Sequence, residues 1–205
     1  KVKRNLRWAN KILSWKSEFD AFDNTSRSVS TGLAPYAIVK ELFEIAPKKT
    51  QFFLDTGATL AWSMQSFLPD SGKRVFHDFN NTAMGWALPA CFGAWTIDKG
   101  KPYFCLSGDG SLMMNIQELA TTQFHKMPLK LFVINNGGYA MIKQTQDQWL
   151  GSEYIASNKG KDLGFPNFEK LADSFGMKYL PVNTVDELRK NEEELTNNTD
   201  ACFIE

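Results

Sequence analysis

Ser107-Gly108-Asp109-Gly110-Ser111 follows the apolar run 102–106, and Asn135-Asn136-Gly137-Gly138-Tyr139 follows the apolar run 129–134. Residues 112–124, between them, carry helical spacing. Strand, helix, strand in that order predicts a parallel pair joined by a crossover, because parallel neighbours need a connection of about that length. The unit brings Asp109 and Asn136 to one edge of the sheet, beyond the carboxyl ends of adjacent strands, where open α/β sheets hold their ligands. Glycines on both sides of Asp109 let backbone come close to a bulky group.

Outward from this unit the alternation continues. Residues 5–20 are helix-like, with Leu6, Trp8, Ile12 and Trp15 among charges, and Asp23-Asn24-Thr25-Ser26-Arg27-Ser28 reads as a linker. Pro35 suits the first turn of a helix reaching about Ile45. Phe52-Phe53-Leu54 is a short buried strand ending at Asp55-Thr56-Gly57, with helical character to about Phe67, and Val75-Phe76 begins another extended run. The small-residue-rich stretch 83–94 closes as a helix before Gly100. A helix over 168–175 stops at Gly176, 177–182 is extended, Thr184-Val185-Asp186-Glu187 opens the last helix as a capping box, and Phe203-Ile204 is the last strand. The strands are apolar without two-residue alternation, as when both faces are covered. The expectation is an α/β fold: an open, mainly parallel sheet flanked by helices on both faces, with right-handed crossovers, over residues 29–205. Residues 1–28 read as a connector from a preceding domain. Both ends look cut, since no Met opens the chain and 201–205 reads as a strand stopped in mid-course.

Bulk properties narrow the partners. Lys+Arg and Asp+Glu number 23 each, a balance that argues against a nucleic-acid or membrane-surface binder. No apolar run is long enough to span a membrane, so a cytoplasmic protein is expected. Cys91, Cys105 and Cys202 are odd in number, far apart and in apolar company, which predicts buried free thiols in a reducing compartment.

Four loops should share the ligand edge: 55–59, 80–84, 107–111 and 135–141. Asp109 offers one hard oxygen, and the Asn136 side chain and Gly138 carbonyl offer two more. Mg²⁺ completes such a partial shell with water and diphosphate oxygens. A helix starting just after Asp109 would turn free N–H groups toward phosphate. Thr82-Ala83-Met84-Gly85-Trp86-Ala87-Leu88-Pro89-Ala90 adds a Met among small residues.

Taken together, these pieces resemble the diphosphate-binding C-terminal domain of thiamine diphosphate-dependent enzymes of the acetolactate synthase and pyruvate decarboxylase superfamily. The acetolactate synthase branch matches through Ala83-Met84-Gly85, Leu88-Pro89-Ala90 and the step from residue 84 to residue 109. The resemblance implies that Asp109, Asn136 and the Gly138 carbonyl bind Mg²⁺. It implies that Gly110, Ser111 and the amides near Met141 and Ile142 hold the diphosphate of thiamine diphosphate, with Gly108, Asn135 and Tyr139 in the same loops. Gly57, Ala58 and Thr59 fall at the family's other diphosphate-contacting loop, without the polar pair typical of the synthases. Met84 becomes an apolar wedge that enforces the bend between the two cofactor rings, an orienting role. Its N–H and the Thr82 carbonyl would hydrogen-bond the aminopyrimidine.

The family's Glu that starts proton relay sits in an N-terminal pyrimidine-binding domain contributed by a second subunit. No catalytic residue is therefore assigned in this chain, and Glu41, Glu44, Glu118 and Glu153 read as solvated carboxylates. The chain by itself is expected to be inert, and the apolar face that meets the missing domain predicts a homo-oligomer. Ile142 stands where pyruvate-type decarboxylases carry a catalytic Glu, as in the synthases. The implied reaction is decarboxylation of a 2-oxo acid followed by ligation to a second carbonyl compound. Thr145 replaces the Trp with which synthases choose the acceptor, so the acceptor pocket differs. Alternatives are a 2-oxo-acid decarboxylase or C–C lyase, a non-catalytic cofactor-binding module, and a generic nucleotide-phosphate loop. His125 reads as a helix-end residue beside Lys126, while His77 precedes the 80–84 loop and could approach the cofactor.

Overall fold

The computed structural model describes residues 5–19, 34–67, 72–197 and 199–205. Helix α1 (Leu6–Glu18) starts at Asn5, whose side chain accepts the Trp8 N–H at 3.2 Å. The linker expected at 23–28 lies outside the described residues. Then come α2 (Pro35–Ile45), β1 (Gln51–Leu54), α3 (Ala58–Ser66), β2 (Arg74–His77), α4 (Ala87–Ile97) and β3 (Tyr103–Gly108). They are followed by the single turn α5 (Asp109–Leu112), α6 (Glu118–Phe124), β4 (Lys130–Ile134) and α7 (Ala140–Trp149). The chain closes with α8 (Phe168–Ser174), β5 (Lys178–Leu180), α9 (Val185–Lys190), α10 (Glu192–Thr196) and β6 (Cys202–Ile204).

The six strands form one sheet in the order β2-β1-β3-β4-β6-β5, with every pairing parallel. Side chains alternate across it and divide the interior into two cores. Phe52, Leu54, Phe104, Leu106 and Phe132 pack with Val39, Leu42 and Phe43 of α2 and with Leu188 and Leu195 of α9 and α10. Phe53, Cys105, Leu131, Val133 and Phe203 pack with Leu88, Cys91 and Trp95 of α4, Leu119 of α6, and Phe168 and Ala172 of α8. This is why β1, β3, β4 and β6 lack alternation: both of their faces are dry, whereas the edge strand β2 is largely exposed. Cys91, Cys105 and Cys202 are buried and unpaired, as expected. None of the described helices is long and apolar enough to cross a membrane.

After β1 the chain runs outward to β2, then returns to the other side of β1 for β3. The crossovers on the two sides diverge there, which opens a crevice beyond the carboxyl ends of β1 and β3.

Two local expectations differ. The helix foreseen over 112–124 is split into α5 and α6 by turns at 113–117. There Asn115 spends its side chain on the Gly85 carbonyl (2.8 Å), and Met114 and Asn115 donate to i−3 carbonyls instead of continuing an α-helix. Helix α7 goes beyond the sequence expectation, because its exposed face reads as polar sequence; it starts directly after the 135–139 loop.

Candidate functional site

A cleft of about 390 Å³ opens at this crevice. Its lining brings together Gly57, Ala58 and Thr59 after β1, Thr82 and Met84 before α4, and Gly108, Asp109, Gly110 and Ser111 after β3. Asn136, Gly138, Tyr139, Met141 and Ile142, after β4, complete that set. Residues separated by up to 85 positions in sequence (Gly57 to Ile142) thus face one space. Asn135 is placed differently. It lines a separate cavity on the α2 and α9 side of the sheet, and its Nδ2 donates to Glu205 Oε1 at 2.6 Å. Asn136, next to it in the loop after β4, lines both spaces.

Asp109 is buried at 1% exposure. Its Oδ1 accepts the Gly110 N–H at 2.8 Å, and its Oδ2 accepts the N–H groups of Gly137 (2.8 Å) and Gly138 (3.1 Å). The carboxylate therefore fastens the loop after β4 to the loop after β3. Burial pushes its pKa above the usual carboxylate range, more strongly than these hydrogen bonds lower it. A Cβ at Gly110 would collide with the Tyr139 ring, so any larger residue there would have to displace that ring.

Asp55, at the carboxyl end of β1, is equally buried, and sequence reasoning gave it no role. Both of its oxygens accept the Gly85 N–H (3.0 and 3.1 Å), Oδ2 accepts Ser107 Oγ–H at 2.8 Å, and Oδ1 accepts the Thr56 N–H at 3.1 Å. Desolvation raises its pKa too. With Asn115 holding the Gly85 carbonyl, the residue after Met84 is gripped on both polar groups. Gly85 has φ +81°, and a Cβ there would lie 2.8 Å from Met114 Cβ. Asp55 follows an apolar strand just as Asp109 does, which was the available signal. Its partner thirty residues on was not visible. Phe79, exposed on the cleft rim, was also missed.

Several polar groups at the cleft carry no hydrogen bond among the described residues: the Asn136 side chain, the Gly138 carbonyl, the Thr82 carbonyl and the Met84 N–H. The same holds for the first N–H groups of α7, at Ala140, Met141 and Ile142. With α5 reduced to one turn, α3 and α7 are the helices that turn their first N–H groups toward the cleft. No described group of three His, Cys, Asp or Glu side chains could hold a metal ion without further ligands.

The other singled-out residues lie elsewhere. Glu41 pairs bidentately with Arg189 at 2.8 Å, Glu44 with Lys40 at 3.8 Å, and Glu118 accepts the Thr121 hydroxyl. Glu153 is exposed. His77 Nδ1 accepts the Phe79 N–H, and His77 does not line the cleft. His125 caps α6 between the rings of Phe92 and Phe124.

Residues 55–205 match the family model described as thiamine pyrophosphate enzyme, C-terminal TPP binding domain. The chain is 33% identical over 178 residues to the acetolactate synthase large subunit of Porphyra purpurea, covering 87% of this chain and 29% of that protein. It is 31% identical over 199 residues to the acetolactate synthase large subunit of Cyanidium caldarium, covering 97% of this chain and 33% of the relative. A probable chloroplastic acetolactate synthase 2 of Oryza sativa subsp. japonica is 28% identical over 193 residues. The chain thus spans about a third or less of the length of the relatives it matches.

Proposed function

Because this chain belongs to the thiamine pyrophosphate enzymes, as a C-terminal TPP-binding domain of the acetolactate synthase-like kind, we propose that its cleft anchors thiamine diphosphate through Mg²⁺. One observation carries the reading: a buried carboxylate, an unbonded Asn amide and an unbonded backbone carbonyl meet at one edge of the cleft. Three hard oxygens of this kind suit Mg²⁺, which takes its remaining ligands from water and phosphate.

In this reading Asp109, the Asn136 side chain and the Gly138 carbonyl hold the ion. Gly110, Ser111 and the free N–H groups at Met141 and Ile142 receive the diphosphate, where the positive end of the α7 dipole favours an anion. The loop Gly57-Ala58-Thr59 and Gly108 wall the same space. The Thr82 carbonyl and Met84 N–H bind the aminopyrimidine, and the Met84 side chain supports the bend between the rings. When bound, the coenzyme supplies the nucleophilic carbon and the electron sink for breaking a bond next to a carbonyl.

For the whole protein we propose decarboxylation of a 2-oxo acid and transfer of the product to a second carbonyl compound. Among the described residues Asp109 is the sole carboxylate lining the cleft, and Ile142 lines it with apolar surface. Nothing acidic at that position competes with the acceptor by delivering a proton. The acid that starts the proton relay then comes from another domain, and this chain by itself turns nothing over. Thr145 is exposed on α7 outside the cleft lining, so acceptor choice rests on other residues than in the synthases.

The test is a fluorescence titration of thiamine diphosphate with Mg²⁺ or with chelator. Mg²⁺-dependent binding is expected, weakened at least about tenfold by Asp109→Ala. Equal binding with chelator, or an unaffected Asp109→Ala variant, overturns the reading.

A further inference from the structure

We propose that residues 155–159 form a brace that aims the Gly138 carbonyl, and that Gln146 is the positioning residue that holds the brace in place. The inference rests on the reading of Gly138 as a cation ligand.

The brace lies alongside the 137–139 loop as an antiparallel bridge between Gly138 and Asn158. The Tyr139 N–H donates to the Ser157 carbonyl at 3.0 Å, and the Lys159 N–H donates to the Gly137 carbonyl at 2.9 Å. On the opposite side, Asp109 Oδ2 takes the N–H groups of Gly137 and Gly138. The Tyr139 carbonyl accepts the Lys143 N–H at 2.9 Å as α7 begins. Of the six backbone polar groups of Gly137, Gly138 and Tyr139, the Gly138 carbonyl is the one left without a partner among the described residues.

Its direction follows from covalent geometry. The Gly138 C=O and the Tyr139 N–H belong to one planar trans peptide, so they point opposite ways. Fastening the N–H to Ser157 turns the carbonyl away from the brace. Gly138 has φ +144°, and a Cβ there would collide with the Ser157 carbonyl. The close seating of the brace, and not just a turn, demands glycine.

Gln146 ties the brace to α7, while Asp162 Oδ2 accepts the Ala156 N–H at 3.4 Å from beyond it. Ser157 is fully buried, and its hydroxyl donates to Gln146 Oε1. Gln146 Nε2 donates to the Ile155 carbonyl at 3.0 Å. Both ends of the amide are used, which determines its orientation. Gln146 is 7% exposed and sits on α7, whose first turn lines the cleft. Loop, helix and brace therefore move as one unit. Mg²⁺ demands near-ideal octahedral ligands, whereas Ca²⁺ accepts irregular ones. A carbonyl freed to swing should penalise Mg²⁺ far more than Ca²⁺, an asymmetry that mere loss of packing would not produce.

The experiment measures Mg²⁺ and Ca²⁺ affinity with thiamine diphosphate present, on the intact protein and its Gln146→Leu, Ser157→Ala and Asp109→Ala variants. Amide hydrogen exchange is followed at Tyr139 and at β3 and β4. For Gln146→Leu the expected result is Mg²⁺ affinity lowered about tenfold, Ca²⁺ affinity lowered less than about threefold, and faster exchange at Tyr139 with the strands unchanged. Ser157→Ala moves the same readouts in the same direction by less, and carries the test should Gln146→Leu fail to fold. Equal losses for both ions, or no loss of Mg²⁺ affinity in either variant, overturn the brace. If Asp109→Ala abolishes Mg²⁺ binding while Gln146→Leu and Ser157→Ala leave it intact, the brace fails and the cation site stands. If Asp109→Ala binds Mg²⁺ as well as the parent, the cation site itself fails.

Discussion

Asp55 and Asp109 end adjacent strands, each buried and each answered by backbone N–H groups and not by a salt bridge among the described residues. They divide the work of building the cleft. Asp109 fastens the loop after β4, and Asp55 fastens the turn that carries Met84. For both, burial outweighs hydrogen bonding and lifts the pKa above the ordinary carboxylate value of 3.8. The sign of the consequence can be worked out for Asp55. The folded state holds the proton to higher pH than the unfolded state, so its contribution to stability is fully present below 3.8 and is lost as pH rises through the lifted folded value. Urea unfolding of the parent and of Asp55→Asn between pH 4 and 7 should show a difference that moves against the parent as pH rises. A difference independent of pH would show that Asp55 is not held in this way.

At the scale of elements, the site is made where regular structure stops. Helix α5 is a single turn because the chain must bend at 113–117 to bring Asn115 to Gly85. Helix α7 is long enough to present its first N–H groups to the cleft and its Gln146 to the brace. Glycines mark where backbone touches backbone. Gly138→Ala should cost about 1–3 kcal/mol in unfolding free energy, from a strained φ and a displaced Ser157 carbonyl. Gly164→Ala, with nothing within 4 Å of a Cβ, should stay within about 0.5 kcal/mol. Equal values for the two in denaturant titration would remove the argument that brace and loop are in obligatory contact.

Taken whole, the molecule leaves large apolar side chains exposed on the cleft rim, Phe79 (64% exposed), Ile142 (49%) and Met141 (48%), and another, Trp149 (78%), outside the lining at the far end of α7. Exposed apolar groups gathered at a functional edge mark surfaces that another chain covers. Sedimentation velocity over a dilution series should show concentration-dependent association, shifted toward the smaller species by Trp149→Glu. An unchanged distribution would place any assembly surface elsewhere.

The apolar runs 52–54, 102–106 and 129–134, with a Gly- or Asn-bearing turn after each, led to a parallel α/β sheet with Asp109 and Asn136 at one edge, and the run at 75–76 put the 80–84 loop with Met84 beside them. That much is local: burial on both strand faces and helix spacing are written residue by residue. The tie of Asn135 to Glu205 outside the cleft, the grip of Asp55 on Gly85 and the bracing of Gly138 by Ser157 were decided by the tertiary structure. Each is a contact between segments whose approach depends on strand order. Hydrogen-bond partners brought together by packing leave no periodic trace in the chain that makes them.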